Sequence, residues 1–135
     1  MENSDLELNI LSCLLQRPEL MSDLILEDKH FKKYGRLWKF MRTYYEKYKN
    51  YDLVLMTSLC KDKFKLLYYL QEIKDAEPAP SRFKEYQQQL IMLYNEEKET
   101  KRKIERIYDL ANRLYVREIT LQDFKSKVNE LIGGE

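Results

Sequence analysis

Glycine occurs only at positions 35, 133 and 134 and proline only at 18, 78 and 80, so the chain has almost none of the turn chemistry that a many-stranded sheet requires. Its apolar residues instead recur at intervals of three and four, the spacing that lines up side chains on one face of a helix. With 135 residues, 44% of them apolar and 35% charged, it is expected to form one domain overall, with a real core and a polar surface. The fold class that follows is all-α.

Ser4-Asp5-Leu6-Glu7 has the form of a capping box, which predicts a first helix carrying Leu6, Ile10, Leu11, Leu14 and Leu15 on one face and ending at Arg17-Pro18. Pro18 suits the first turn of a second helix with Leu20, Met21, Leu24 and Ile25 inward. A third runs from Tyr34 to Tyr48, with Leu37, Trp38, Met41, Tyr44, Tyr45 and Tyr48 on its apolar face. Asp52 is placed to cap a short fourth helix through Leu59, and Phe64, Leu67, Tyr68 and Leu70 to Ile73 make a fifth. Ala76-Glu77-Pro78-Ala79-Pro80 is the strongest break. Residues 1–80 are therefore expected to form a compact helical head.

After a cap at Ser81, the apolar positions from Phe83 to Tyr115 keep helical spacing without a break, which predicts one helix of roughly 50 Å at about 1.5 Å per residue. A helix of that length exceeds what the head covers, so part of it is expected to project or to pack on another copy. The charged run Glu96–Lys103 interrupts the stripe, and Glu97 with Lys101 and Glu99 with Lys103 have the favourable order for i,i+4 pairs. Thr120-Leu121-Gln122-Asp123 has the form of another cap, with an acid in place of the usual Glu. Residues 81–135 are thus expected to be a long helix folded back as an antiparallel hairpin, stopped at Gly133-Gly134 and cut from something longer. Its apolar stripe, Ile104, Ile107, Tyr108, Ala111 and Leu114 facing Leu121, Phe124 and Val128, is the candidate self-association surface.

Several chemistries lack their residues. Neither GxxxxGK[ST] nor GxGxxG is compatible with these glycine positions, so no nucleotide cofactor of those kinds is expected. His30 is the single histidine and Cys13 and Cys60 stand apart, which argues against a metal cluster, a disulfide framework and a Ser/His/Asp site; no catalytic residue, cofactor or metal is assigned. No apolar run approaches the roughly 18 to 20 residues of a membrane span and the acidic start is unlike a signal peptide, so a soluble cytoplasmic protein without membrane contact is expected.

The net charge of +1 offers no global attraction for nucleic acid, yet the charge is uneven. Residues 1–28 carry seven acids against Arg17, and residues 29–49 carry eight bases against Glu46. Lys32, Lys33, Arg36, Lys39 and Arg42 alternate with Phe31, Tyr34, Trp38, Phe40 and Tyr44, superficially the recipe for a nucleic-acid surface. Helical spacing puts Trp38, Met41 and Tyr45 on the buried face and leaves the five bases solvated, a candidate surface for an acidic protein partner before DNA. Eleven tyrosines also fit a chain with protein interfaces.

Glu7-Leu8-Asn9-Ile10-Leu11-Ser12-Cys13-Leu14-Leu15, an acid followed by a run of the form "v/i-L-x-x-L/M-L", resembles the opening helix of the N-terminal domain of DnaB-type replicative DNA helicases, and the order of the features after it resembles that family too. His30-Phe31 before Arg36-Leu37-Trp38-Lys39-Phe40-Met41 is similar to a Phe followed by "h-R-x-I-F-x-x-M", and Tyr51-Asp52-Leu53-Val54-Leu55-Met56 to "I-D-L-V-T-L". Tyr69-Leu70 with Ile73, Pro80-Ser81, and Tyr86 before Leu90-Ile91 are similar to "Y-L-x-x-L", "P-S" and "Y-x-x-I-V", so the resemblance runs from about Leu6 to Leu131. Lys65-Leu66 stands where the family often has Gly-Gly and Phe83 where it has Asn, departures that mark a divergent, bacterial or phage-like member.

The resemblance implies a head followed by a hairpin, hairpins pairing into dimers, and dimers forming a three-fold collar on a hexameric ring that receives primase and helicase loader. The ATPase motor of that family lies in another domain, so no enzymatic activity is expected of these residues. Two neighbouring readings share the fold: a stand-alone phage helicase loader or inhibitor, and the helicase-interacting domain of a primase, the latter disfavoured by Asp52-Leu53-Val54. A small helical DNA-binding module is the alternative of another class.

Overall fold

The computed structural model describes residues 2–133, all of whose regular structure is helical. Six α-helices follow in order: α1 (Asn3–Gln16), α2 (Gly35–Tyr48), α3 (Leu53–Leu59), α4 (Phe64–Asp75), α5 (Phe83–Tyr115) and α6 (Leu121–Gly133). Short 3-10 turns at Pro18–Asp23, Asp28–His30 and Pro80–Arg82 join some of them. The chain divides into two compact units between Leu93 and Tyr94, so α5 contributes its first turns to one and the remainder to the other.

The first unit is built around α1, which packs on α4 and on the Pro18–Asp23 turn, while α2 packs on α4 and on the Asp28–His30 turn. Its core joins Leu6, Ile10 and Leu14 of α1 to Leu37, Trp38 and Met41 of α2, with Met56, Leu70, Ile73, Phe83 and Leu90 completing it from later helices. Burial of each such side chain contributes roughly 1.5–3 kcal/mol. Phe31 stacks on Trp38 with ring centroids 4.9 Å apart, and Tyr34 meets Tyr69 edge-on at 4.7 Å. Trp38 is 2% exposed and its indole donates to Asp28 Oδ1 at 2.7 Å, which satisfies the polar end of a core aromatic.

Polar groups inside this core tie elements together. Ser12 Oγ donates to the Ile73 carbonyl at 2.7 Å, linking α1 to α4. Gln87 on α5 is 1% exposed; its Oε1 accepts from the Ile25 amide at 2.7 Å and its Nε2 donates to the Asp23 carbonyl at 3.2 Å. Both ends of that amide are therefore used to hold the extended segment after the first 3-10 turn, where free backbone groups would otherwise be buried.

Several expectations need correcting. The Ser4–Glu7 capping box does not form: α1 starts at Asn3 with Glu2 at its N-cap and no side-chain cap. Glu7 turns inward instead, 1% exposed, and accepts the Tyr34 amide at 3.1 Å. Pro18 does open a helical turn, but one of 3-10 type, and the extended backbone that follows puts Leu26 inside and leaves Ile25 55% exposed. Ser81, expected as the cap of α5, lies in the middle of the Pro80–Arg82 turn, two residues before that helix begins at Phe83. The α3 cap forms as expected, with Asp52 Oδ1 accepting from the Val54 and Leu55 amides.

The second unit is the hairpin of α5 and α6. The α5 terminus closes with Arg117 left-handed at φ 64°, the Glu118 amide donating to Arg113 O at 2.8 Å and the Arg117 amide to Leu114 O at 3.0 Å, the paired bonds of a Schellman ending. At the start of α6 the Asp123 amide donates to Thr120 Oγ1 at 3.1 Å while Asp123 Oδ2 accepts from the Thr120 amide at 3.3 Å, so the expected reciprocal cap forms. Along α5, Glu99 pairs with Arg102 at 2.6 Å rather than with Lys103, and Asp109 pairs with both Arg106 and Arg113 at 3.3 Å. Gly133 is the last residue of α6; Gly134, the other half of the expected stop, lies outside the described residues. No helix of the described residues is long and apolar enough to cross a membrane.

Candidate protein-interaction surfaces

The base-rich segment begins as a loop and continues on α2. Its loop is pinned from below, because the amides of Tyr34, Lys33 and Lys32 all point at the buried Glu7 carboxylate. Burial pushes the Glu7 carboxyl above its ordinary value, and those amides oppose the rise only in part. Lys32 and Lys33 are therefore held at the surface by a carboxylate in the core, and Lys33 Nζ lies 5.3 Å from the centre of the Tyr34 ring.

Further along, Arg42 is half-buried and engaged, its guanidinium bonded to Asp28 and 5.9 Å from the centre of the Trp38 ring. The hydrogen bonds from Arg42 and Trp38 hold the Asp28 carboxyl below its ordinary value. Next to it His30 is buried and its Nδ1 accepts the Glu27 amide at 2.9 Å, closing a reciprocal cap around the 3-10 turn; burial pushes its pKa down. Among the described residues no three His, Cys, Asp or Glu side chains are grouped to hold a metal.

Arg36 and Lys39 lie exposed on the remaining face of α2 and flank a groove between α2 and the start of α4, about 760 Å³ in volume. Its floor is Phe40, Leu66 and Tyr69, its far rim is Lys63 and Lys65, and Phe64 stands at its edge 84% exposed. Phe64, expected on the apolar face of a helix, is instead turned outward at this groove, which helical spacing alone does not reveal. The available signal was the Lys63-Phe64-Lys65 triplet, where an aromatic flanked by charge opens a helix.

In the hairpin, Ile107, Leu114, Phe124 and Val128 are half-buried, whereas Ile104, Tyr108, Ala111 and Leu121 are exposed. The deepest residue is Leu110, fully buried and not singled out beforehand, which lines a cleft of about 320 Å³ with Leu131 of α6 and with Arg106, Lys127 and Glu130. The inward face of α5 is thus rotated toward Ile107, Leu110 and Leu114. Ile104, Tyr108, Ala111 and Tyr115, spaced four, three and four apart, form a neighbouring strip, with Tyr108 69% and Tyr115 88% exposed.

The family model described as the DnaB-like helicase N terminal domain matches residues 1–92, about two thirds of the chain. The chain belongs to that family. The match ends next to the boundary between the two units, so the family assignment rests on the first unit and the hairpin lies beyond it. No curated protein and no solved structure matches the chain significantly. Domains of this family generally serve protein–protein contacts, and the family is the non-catalytic N-terminal part of DnaB-type helicases, distinct from their ATPase motor.

Proposed function

We propose that this chain is the assembly and partner-docking domain of a hexameric replicative DNA helicase. In this reading the head, residues 1–80, presents Lys32, Lys33, Arg36, Lys39 and Arg42 toward primase or helicase loader, and residues 81–135 carry self-association. Pairs of hairpins meet through the stripe of Ile104, Ile107, Tyr108, Ala111 and Leu114 with Leu121, Phe124 and Val128, and three such dimers make the collar of the ring. The observation that carries the reading is the exposed strip Ile104–Tyr108–Ala111–Tyr115, on a chain whose first 92 residues belong to a family of contact-making domains. A strip of that kind, repeated on an identical copy, is suited to a two-fold interface in which the same patch meets itself.

The test is sedimentation equilibrium over a concentration series on wild type and Tyr108→Asp. Tyr108 is the better probe than Ile107, because its exposure in the single chain leaves the hairpin's own packing untouched by the change. A carboxylate left unpaired in the contact is expected to weaken pairing by roughly 2–3 kcal/mol or more, about thirtyfold upward in dissociation constant, with helicity unchanged. Wild type and mutant both sedimenting as monomers at the highest concentrations would rule hairpin pairing out.

A further inference from the structure

The groove between α2 and α4 differs from the rest of the head surface in combining an apolar floor with a rim of one sign. Arg36 and Lys39 stand on one side and Lys63 and Lys65 on the other, and no acidic side chain lines it. Among the described residues none of the four takes part in an ion pair, whereas Arg42, one turn further along α2, is committed to Asp28. Lys65 Nζ lies 5.7 Å from the centre of the Tyr69 ring, so its charge overhangs the floor itself. Like charges gathered around a dry floor repel one another until a ligand of opposite sign arrives, and a volume near 760 Å³ falls in the range of roughly 300–1,000 Å³ typical of ligand sites.

We infer that this groove docks a short acidic segment of a partner protein, one that sets a bulky apolar side chain on the Phe40–Leu66–Tyr69 floor and carboxylates against Arg36, Lys39, Lys63 and Lys65. The inference rests on the partner-docking reading of the head and gives that partner its chemistry.

Two other occupants fit less well. A nucleic acid strand needs ring faces on which bases stack, but Tyr69 is 8% exposed with its ring against Tyr34, Phe40 is half-buried, and only Phe64 stands free. Four charges around a closed patch are also not the continuous track that a phosphate backbone follows, and the chain's net charge of +1 adds no long-range pull. A second copy would have to supply an acidic apolar segment. The acidic stretch from Glu19 to Asp28 is anchored by Leu20, Met21, Leu24 and Leu26 in the core and is not free to leave.

The test is a fluorescence anisotropy titration of the whole chain with a short labelled peptide of glutamates and serines carrying one Phe and one Leu. Two further peptides, one with Ala for both apolar residues and one with Gln for every Glu, separate the contributions of floor and rim. The inference expects saturable binding that weakens with salt, a loss of about tenfold with either altered peptide, and a loss of about tenfold with the double variant Arg36→Glu/Lys65→Glu. Both substituted residues are exposed, so circular dichroism should show an unchanged fold. Equal binding of the Ala peptide, no binding, or an oligothymidylate that displaces the peptide and is lost with the same variant would each overturn the inference. So would a dimer that the variant dissociates. Because the hairpin is untouched, pairing measured on Tyr108→Asp stands or falls separately from the peptide result.

Discussion

The two units of this chain hold their helices by different means. In the first, the core runs continuously from Leu6 to Leu90, and buried polar groups such as Ser12, Glu7 and Gln87 each find a partner. In the second, Leu110 is the single buried apolar residue among those described, and order rests on helix ends and surface ion pairs. Exposed pairs of that kind contribute about 0–1 kcal/mol each, and caps about 1 kcal/mol. A folded head with its own interior can present a surface without depending on what binds there. A hairpin with one buried leucine has little core of its own, so the pairing proposed above would couple assembly to folding in the second unit and leave the first independent.

The largest expected effect falls on the head. Trp38→Ala removes a stacked core aromatic together with its bond to Asp28 and should cost about 3–5 kcal/mol, seen as a lowered melting temperature. If the melt is unchanged, the head does not depend on this core and the contrast between the units fails.

Glu7 gives a smaller and more specific test. Glu7→Leu leaves the Tyr34 amide buried without an acceptor and should cost about 1–3 kcal/mol, whereas Glu7→Gln keeps an acceptor and should recover most of that. The pH dependence follows from burial raising the folded pKa above the ordinary 4.5. As pH rises from 4.5 through the raised value, the unfolded chain releases its proton first, so wild type should lose stability relative to Glu7→Gln across that window. Denaturant melts at stepped pH read both effects, and parallel pH profiles would mean that Glu7 ionises as freely folded as unfolded.

On the hairpin the expected change is stabilising and small. Arg117 sits left-handed at φ 64°, where a side chain is strained, so Arg117→Gly should add about 0.5–1 kcal/mol to the hairpin and leave the head's melt where it is. A shift of the head's melt by the same substitution would show that the two units unfold together.

What the sequence made legible is what depends on neighbours in the chain. The Asp52 cap, the Thr120–Asp123 cap, the inward face of α2 around Trp38 and the break before Pro80 all follow from spacing and local chemistry, and all are found. The errors occur where a distant partner decides. Glu7 has the position of a capping acid but is drawn inward by an amide 27 residues away. In the hairpin the stripe was legible only to within one helical face, since a period of 3.6 leaves both the Leu110 side and the Tyr108 side apolar and only packing on α6 separates them. The groove was not legible at all, because it joins residues of α2 to residues at the start of α4.

The contrast between the units is tested most directly by amide hydrogen exchange on the wild-type chain at two widely separated concentrations. The account predicts that α1, α2 and α4 amides exchange at the same slow rates at both, while amides of the α5 segment from Tyr94 to Tyr115 and of α6 become more protected at the higher concentration as copies cover the strip. Equal protection of α6 and of that α5 segment at both concentrations would contradict it, because the hairpin would then be stable without a partner.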